Sequence, residues 1–154
     1  MLRRLLEGTC FAVPLRSEGY GVGVLAAHDR YGIAVAHFFD VWFADVPSPD
    51  MVSELAYPDA VRCIRFGARY LQKGTWPAVG RLNGEWPVPH FCRGDLSGRW
   101  FRTSYDADDL RGISSERPIS EVECLGLNRD VLSGPGSVEI VLTRLARPDI
   151  EGPA

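Results

Sequence analysis

The stretch YGVGVLAAHDRYGIAVAHFF, residues 20–39, contains two apolar runs separated by a short polar turn. Residues 20–27 and 33–39 are rich in β-branched and aromatic side chains, which is typical of β-strands, and the segment between them has the length of a hairpin loop. Gly21 and Gly23 weaken the first strand or mark a bulge in it. The stretch therefore predicts a β-hairpin. The inward face of this hairpin is predicted to carry Val22, Val24, Ile33, Val35 and Phe39.

Outside this hairpin, glycine and proline residues divide the chain into further short apolar segments. This pattern is typical of many short strands joined by tight turns. A short helix is predicted within residues 46–56, because Ser48 is a suitable N-cap and Pro49 suits the first helical position. Residues 138–145 fit both a helix and a strand, and the helix is favoured because residues 133–135 would start one well. Further strands are predicted at residues 11–15, 61–66, 78–82, 99–105 and 120–127.

This order of elements predicts an α+β fold that is mainly β. The strands are expected to form a twisted antiparallel sheet or a partly open SH3-like barrel, with one or two short helices covering an open face. The 154 residues fit one domain of ordinary size. We therefore predict a single domain over residues 1–154, with an ordered core at 8–147 and a frayed tail at 148–154.

The composition is that of a globular protein. Apolar residues make up 45% of the chain, charged residues 24%, and the formal net charge is −3. A duplex-DNA-binding protein normally carries a basic surplus, so nucleic acid is not expected as a partner. No run approaches the ~18 apolar residues of a membrane span and no signal peptide is recognised, so a cytoplasmic protein without a membrane partner is expected. In that reducing compartment four free thiols are expected. They belong to Cys10, Cys63, Cys92 and Cys124.

The sequence lacks the motifs of common enzymes and metal sites. CxxC, HxxxH and HExxH spacings do not occur, nor does a GxSxG nucleophile motif or a GxxxxGK[ST] phosphate loop. No metal and no cofactor are therefore predicted. The one weak catalytic candidate is His90 with Cys92, since residues two apart on a strand share a face and a histidine can act as the base of a thiol. Cys92 as a small buried hydrophobic residue is the favoured interpretation.

Carboxylates and one tryptophan mark a candidate protein-binding surface. Trp42 is the tryptophan best placed to be exposed, because it precedes a polar, proline-rich loop, and tryptophan is enriched at interfaces. The carboxylates lie mostly in that loop and in the later DADD turn. The predicted partner-binding residues are Asp40, Trp42, Asp45, Asp50, Asp106, Asp108 and Asp109. Such a surface would suit a basic partner, because complementary potentials speed the encounter of two proteins.

A set of short motifs follows in a fixed order between Gly8 and Asp106. They are GxxFAVPL from residue 8, YGxGxL from 20, GxxVxxFFD from 32, GxWPAVG from 74, PxF from 89 and GxW from 98. In this order the motifs resemble the immunity protein 26 family of bacterial polymorphic toxin systems. The resemblance fades after Asp106. The motif residues themselves are turn glycines and core aromatics, so they describe a fold and not a contact surface.

The resemblance implies a small cytoplasmic protein that binds and neutralises a cognate toxin by occlusion. It implies no catalytic residues. Some members of the family carry a combined label with a phosphotriesterase, so the alternative function is a small hydrolase of phosphotriesters or other esters that would use His90 and Cys92. The identity of the toxin and the oligomeric state of the chain stay open.

Overall fold

The computed structural model describes residues 5–146, which form ten strands and four α-helices. The strands are β1 Thr9–Pro14, β2 Tyr20–His28, β3 Ile33–Phe43, β4 Arg62–Gly67, β5 Ala78–Arg81, β6 Phe91–Gly94, β7 Trp100–Ser104, β8 Ser115–Ile119, β9 Asn128–Arg129 and β10 Leu132–Ser133. The α-helices are α1 Pro49–Val52, α2 Arg69–Lys73, α3 Glu121–Leu125 and α4 Pro135–Ala146, and Tyr57–Asp59 forms a 3-10 helix.

The predicted hairpin is confirmed as β2 and β3, which pair antiparallel with Val22 opposite Phe39. Its turn is closed by Asp29, whose carboxylate accepts the N–H groups of Tyr31 and Ile33 at 2.9 Å each. The register shifts between Tyr20 and Val22, so the expected irregularity lies at Gly21.

These two strands lie in the middle of a six-stranded sheet, the large sheet, with the order β10-β4-β3-β2-β1-β5. Successive side chains of β3 alternate between the two faces of this sheet, and both faces are buried. On one face Phe38 packs in a cluster with Phe11 and with Val138 and Leu142 of α4. Gly23 allows the close approach of these rings, since a Cβ there would lie 2.6 Å from Phe38. The opposite face of the large sheet packs against Trp86, Phe91 and Leu110.

A four-stranded sheet, the small sheet, has the order β8-β7-β6-β9. Its strand β9 runs parallel to β6, and β10, three residues later, runs parallel to β4 of the large sheet. The chain therefore crosses from one sheet to the other at Asp130 and Val131. Among the described residues, no helix is long and apolar enough to cross a membrane.

The mainly β prediction is confirmed, and the helix at residues 138–145 is confirmed as α4. The strands form two open, mixed sheets and do not close into one barrel, and the helices exceed the predicted one or two. The strand predicted at 120–127 is wrong, because Ser120 and Glu123 form a capping box that starts α3 there. The predicted tail, 148–154, lies outside the described residues.

Candidate functional site

The sulfur of Cys92 is bonded to that of Cys124 in a disulfide, with the two Cα atoms 5.4 Å apart. The expectation of four free thiols is therefore wrong for these two cysteines. A sulfur held in a disulfide is not a thiolate, so Cys92 does not serve His90 as a nucleophile in this structure. His90 is exposed, and its Nδ1 lies 2.8 Å from the hydroxyl of Ser104.

The two free cysteines, Cys10 and Cys63, are both buried. Burial raises the pKa of the Cys10 thiol to about 12 and raises that of Cys63 as well. A thiol is nucleophilic as its thiolate, and burial in apolar surroundings disfavours the charged form. Both thiols are therefore protonated at neutral pH and act as small apolar side chains in the core.

The residues of the predicted partner surface lie at opposite ends of the β2–β3 hairpin. At one end of the hairpin Tyr20 pairs with Phe43, the last residue of β3. At the other end the turn residue Asp29 accepts the N–H of Leu110 at 2.8 Å. Asp40, Trp42 and Asp45 belong to the first end, Asp50 lies in α1, and Asp106, Asp108 and Asp109 precede Leu110 at the second end. The length of β3, about 33 Å for an extended strand of this size, separates the two groups.

Trp42 and Asp109 have local structural partners. Trp42 is 37% exposed and donates its indole N–H to the carbonyl of Glu18 at 2.9 Å. Asp109 binds Arg111 through both carboxylate oxygens, at 3.0 and 2.9 Å, and these hydrogen bonds lower the pKa of Asp109 to about 2. Trp42 thus ties the end of β3 to the residues before β2, and Asp109 stabilises the loop in which it lies.

A hollow surface lies elsewhere, beside β4. Strand β10 covers β4 only at Arg65 and Phe66. Next to these residues the edge of β4 faces the segment that enters β9, and two hollows of about 340 and 390 Å³ lie between them. We call this pair of hollows the edge groove. The residues that line both hollows are Arg62, Cys63, Leu127 and Asn128.

A hydrogen bond crosses the floor of the edge groove. The side-chain oxygen of Asn128 accepts the backbone N–H of Cys63 at 3.0 Å, so the small sheet supplies the partner that this part of the β4 edge lacks. An unpaired backbone group at a sheet edge would invite another strand, and a side-chain acceptor occupies it here. The groove therefore has a fixed floor built from both sheets.

His37 of β3 lines one end of the edge groove. Its Nε2 lies 2.7 Å from the carbonyl of Pro87, and its ring meets the ring of Tyr57 edge to face at 4.8 Å. Burial lowers the pKa of His37, because the charged imidazolium loses its hydration there. The neutral ring is thus the form that the folded protein favours.

The mouth of the edge groove carries exposed apolar side chains. Leu125 at the end of α3 is 81% exposed and Val131 is 56% exposed, and both line the groove. Leu132 follows Val131 and is 51% exposed. Single exposed apolar residues are common, but several around one concave surface are typical of an interaction site.

The walls of the edge groove are joined by a buried polar cluster around Asp130. Its carboxylate accepts hydrogen bonds from the hydroxyls of Thr103 and Tyr105, and it lies 3.4 Å from a guanidinium nitrogen of Arg65. Arg65 also donates to the carbonyl of Leu110 at 2.9 Å. Burial and the neighbouring Asp130 raise the pKa of Tyr105. This cluster connects β4 of the large sheet to the end of β7 in the small sheet.

The stability of the protein is expected to fall as the pH drops from 7 to 5, because of His37. A histidine whose pKa is lowered in the folded state contributes stability above its unfolded pKa of about 6.5, and this contribution is lost as the imidazole becomes protonated. His37→Gln removes the titration and should flatten the pH dependence in this interval. Urea unfolding at several pH values measures the effect. An unchanged slope in the variant would contradict it.

Sequence reasoning missed the edge groove because its residues come from several short segments far apart in the chain. The apolar residues Leu125 and Val131 were the available signal. The strand predicted at residues 120–127 contains Leu125 and would have placed it in a sheet. Within residues 5–146, no group of three or more His, Cys, Asp or Glu side chains is arranged to hold a metal ion. Comparison with protein families, with curated proteins and with solved structures finds no match to this chain.

Proposed function

We propose that this chain neutralises a cognate bacterial toxin by binding and occluding it, and that the edge groove holds a segment of that toxin. The observation that carries the proposal is the exposure of Leu125 and Val131 at the mouth of a groove with a fixed floor. A preorganised surface loses little entropy on binding, and apolar side chains at its centre supply most of the affinity. A toxin is proposed as the partner because the ordered sequence motifs resemble those of the immunity protein 26 family.

The chemistry of the edge groove favours a segment with both apolar and acidic side chains. Leu125 and Val131 offer apolar contact, while Arg62 lines both hollows and Arg129 lines the second. Within the described part of the chain neither arginine forms an ion pair. Arginine is enriched in interfaces because its planar group binds carboxylates through two hydrogen bonds.

The direct test is titration of the purified chain with the protein encoded beside it in the genome, followed by calorimetry. A toxin that is neutralised by occlusion should bind with a submicromolar dissociation constant and lose its activity at equimolar ratio. Absence of binding at micromolar concentration would overturn the proposal. Turnover of a chromogenic phosphotriester by the chain, with or without a divalent metal, would favour the hydrolase alternative.

Leu125→Glu is expected to weaken toxin binding at least tenfold, since it removes an apolar contact and places a carboxylate in the groove mouth. The folded protein should keep its stability, because Leu125 is exposed. Leu96→Glu is the matched control, since Leu96 is fully exposed in the turn between β6 and β7. Equal affinities of the two variants would place the toxin contact outside the groove.

A cytoplasmic location belongs to the same proposal, and the disulfide between Cys92 and Cys124 bears on it. Disulfides persist in oxidising compartments and are rare where glutathione keeps thiols reduced. Cys92 and Cys124 are both buried, which limits access by a reductant. Alkylation of living cells before lysis, followed by mass spectrometry, shows which form the cell contains. A fully reduced pair would agree with the cytoplasm, and an oxidised pair would favour an oxidising compartment.

A further inference from the structure

The small sheet has two faces with very different charge patterns. Residues directly opposite each other on neighbouring strands share a face. By this register, Arg117 of β8, Arg102 of β7, Cys92 of β6 and Arg129 of β9 form one row across the sheet. We call Arg102, Arg117 and Arg129 the arginine row. In a chain with a net charge of −3, this row concentrates three positive charges on one face.

Among the described residues, no carboxylate forms an ion pair with the arginine row, whereas several other arginines of the chain form such pairs. On the opposite face of the same strands, Arg93 binds both oxygens of Glu116 at 3.0 Å. The helix α3 is joined to the row's own face through the disulfide of Cys92, and it carries Glu121 and Glu123. Neither of these two carboxylates forms an ion pair with the row, and Glu123 is engaged with Ser120.

The like charges of the row are unfavourable in the free protein. Arg102 and Arg117 lie directly opposite each other, and like charges in that position destabilise a sheet. Arg129 lies over the ring of Trp100, with its guanidinium carbon 4.8 Å from the ring centre. Stacking fixes the orientation of a guanidinium and leaves its N–H groups available for hydrogen bonds.

We propose that the arginine row binds an acidic segment of a protein partner through carboxylates that pair with Arg102, Arg117 and Arg129. A protein is favoured over a nucleic acid because the row is short, the chain as a whole is acidic, and Arg129 already stacks on the half-buried ring of Trp100, which a base would otherwise use. The row adjoins the edge groove, since Arg129 lines both surfaces. The inference deepens the proposed function and rests on it, because the acidic segment is then part of the toxin.

The test uses a fluorescein-labelled deca-glutamate peptide and fluorescence anisotropy on the full chain. The triple variant R102Q/R117Q/R129Q is expected to bind the peptide at least tenfold more weakly than the wild type, and with a smaller dependence on salt. R69Q/K73Q/R144Q is the matched control, because it removes the same charge from exposed positions on α2 and α4. Equal losses of peptide affinity in the two variants would overturn the proposal. An unchanged peptide affinity in the first variant would also overturn it.

Arg117→Glu provides a second readout that a merely structural role would not give. It should abolish peptide binding and yet raise the melting temperature by about 2 °C, because it replaces a repulsive pair with an attractive one opposite Arg102. Lower stability together with lost binding would contradict the proposal. Tighter binding of a ten-residue oligothymidine than of the peptide would also overturn it, because the row would then be a phosphate site.

The toxin and the peptide together separate the two proposals. A neighbouring toxin that binds the wild type and the row variant equally overturns the arginine row and leaves the proposed function standing. If the toxin binds neither the wild type nor the row variant, the proposed function is overturned. If the row variant has still lost peptide binding in that case, the row remains a site for acidic polypeptides. Toxin binding that falls only in the row variant supports both.

Discussion

Replacing Asp130 with alanine is expected to lower the free energy of unfolding by about 3–5 kcal/mol, because the buried guanidinium of Arg65 would lose its counter-charge. The side chains of Arg65 and Asp130 are only 10% and 5% exposed. The hydroxyls of Thr103 and Tyr105 would lose their acceptor as well, and unpaired buried donors are costly. Urea denaturation followed by tryptophan fluorescence measures the loss.

Two further variants serve as controls for the stability loss expected of Asp130→Ala. Asp45→Ala removes an exposed carboxylate and should change the stability by less than about 0.5 kcal/mol. Adding Arg65→Met to Asp130→Ala should recover part of the lost stability, since no uncompensated charge is then buried. A double variant as unstable as the sum of the two single variants would show that the charges act independently.

Loss of the disulfide is the second large effect expected. Cys92 and Cys124 are 32 residues apart in the sequence, and a cross-link that closes a loop of this length stabilises a protein by about 3–4 kcal/mol in the chain-entropy model. The double variant C92A/C124A should therefore unfold at lower denaturant concentration than the oxidised wild type. It should also release α3 from the small sheet, because Cys124 is the buried residue of that helix.

A reductant supplies the control for the disulfide. Dithiothreitol should lower the stability of the wild type and leave C92A/C124A unchanged, since the variant has no bridge to reduce. Reduction should also weaken binding of the proposed toxin partner, because Leu125 follows Cys124 directly and would lose its fixed position at the groove. Equal affinity before and after reduction would separate the bridge from the binding surface.

Much of the large sheet could be predicted from the sequence because its strands are apolar and bounded by turn residues. The β2–β3 hairpin combines long β-branched runs with a glycine-containing turn, and both signals are local. The same holds for α4, where Val138 and Leu142 face one core with helical spacing. Such a pattern predicts an element correctly when all the residues that form the pattern lie within that element.

The strand predicted at residues 99–105 is confirmed as β7, but the other strands of the small sheet escaped prediction because their signals are not local. Strand β8 has the sequence SERPI, which is almost entirely exposed and contains a proline, so it shows no apolar alternation. Strands β9 and β10 are two residues each and exist only through their pairing with β6 and β4. The disulfide partner of Cys92 lies 32 residues away, and no spacing rule identifies it.

The candidate site shows the same limit. The acidic loops were visible in the sequence, but the fold places them at opposite ends of β3. The arginine row was not visible, because Arg102, Arg117 and Arg129 come together only through strand register. The edge groove likewise needs β4 and β9 to be side by side. Residue types were therefore readable from the sequence, whereas their juxtaposition required the sheet order.

The position of α4 has a consequence for synthesis on the ribosome. Val138 and Leu142 cover the same apolar cluster to which Phe11 and Phe38 belong, so this face of the large sheet stays uncovered until α4 has been translated. During that interval the nascent chain presents bare aromatic surface, which chaperones recognise and which aggregates when unprotected. We therefore expect a chain truncated before Pro135 to aggregate.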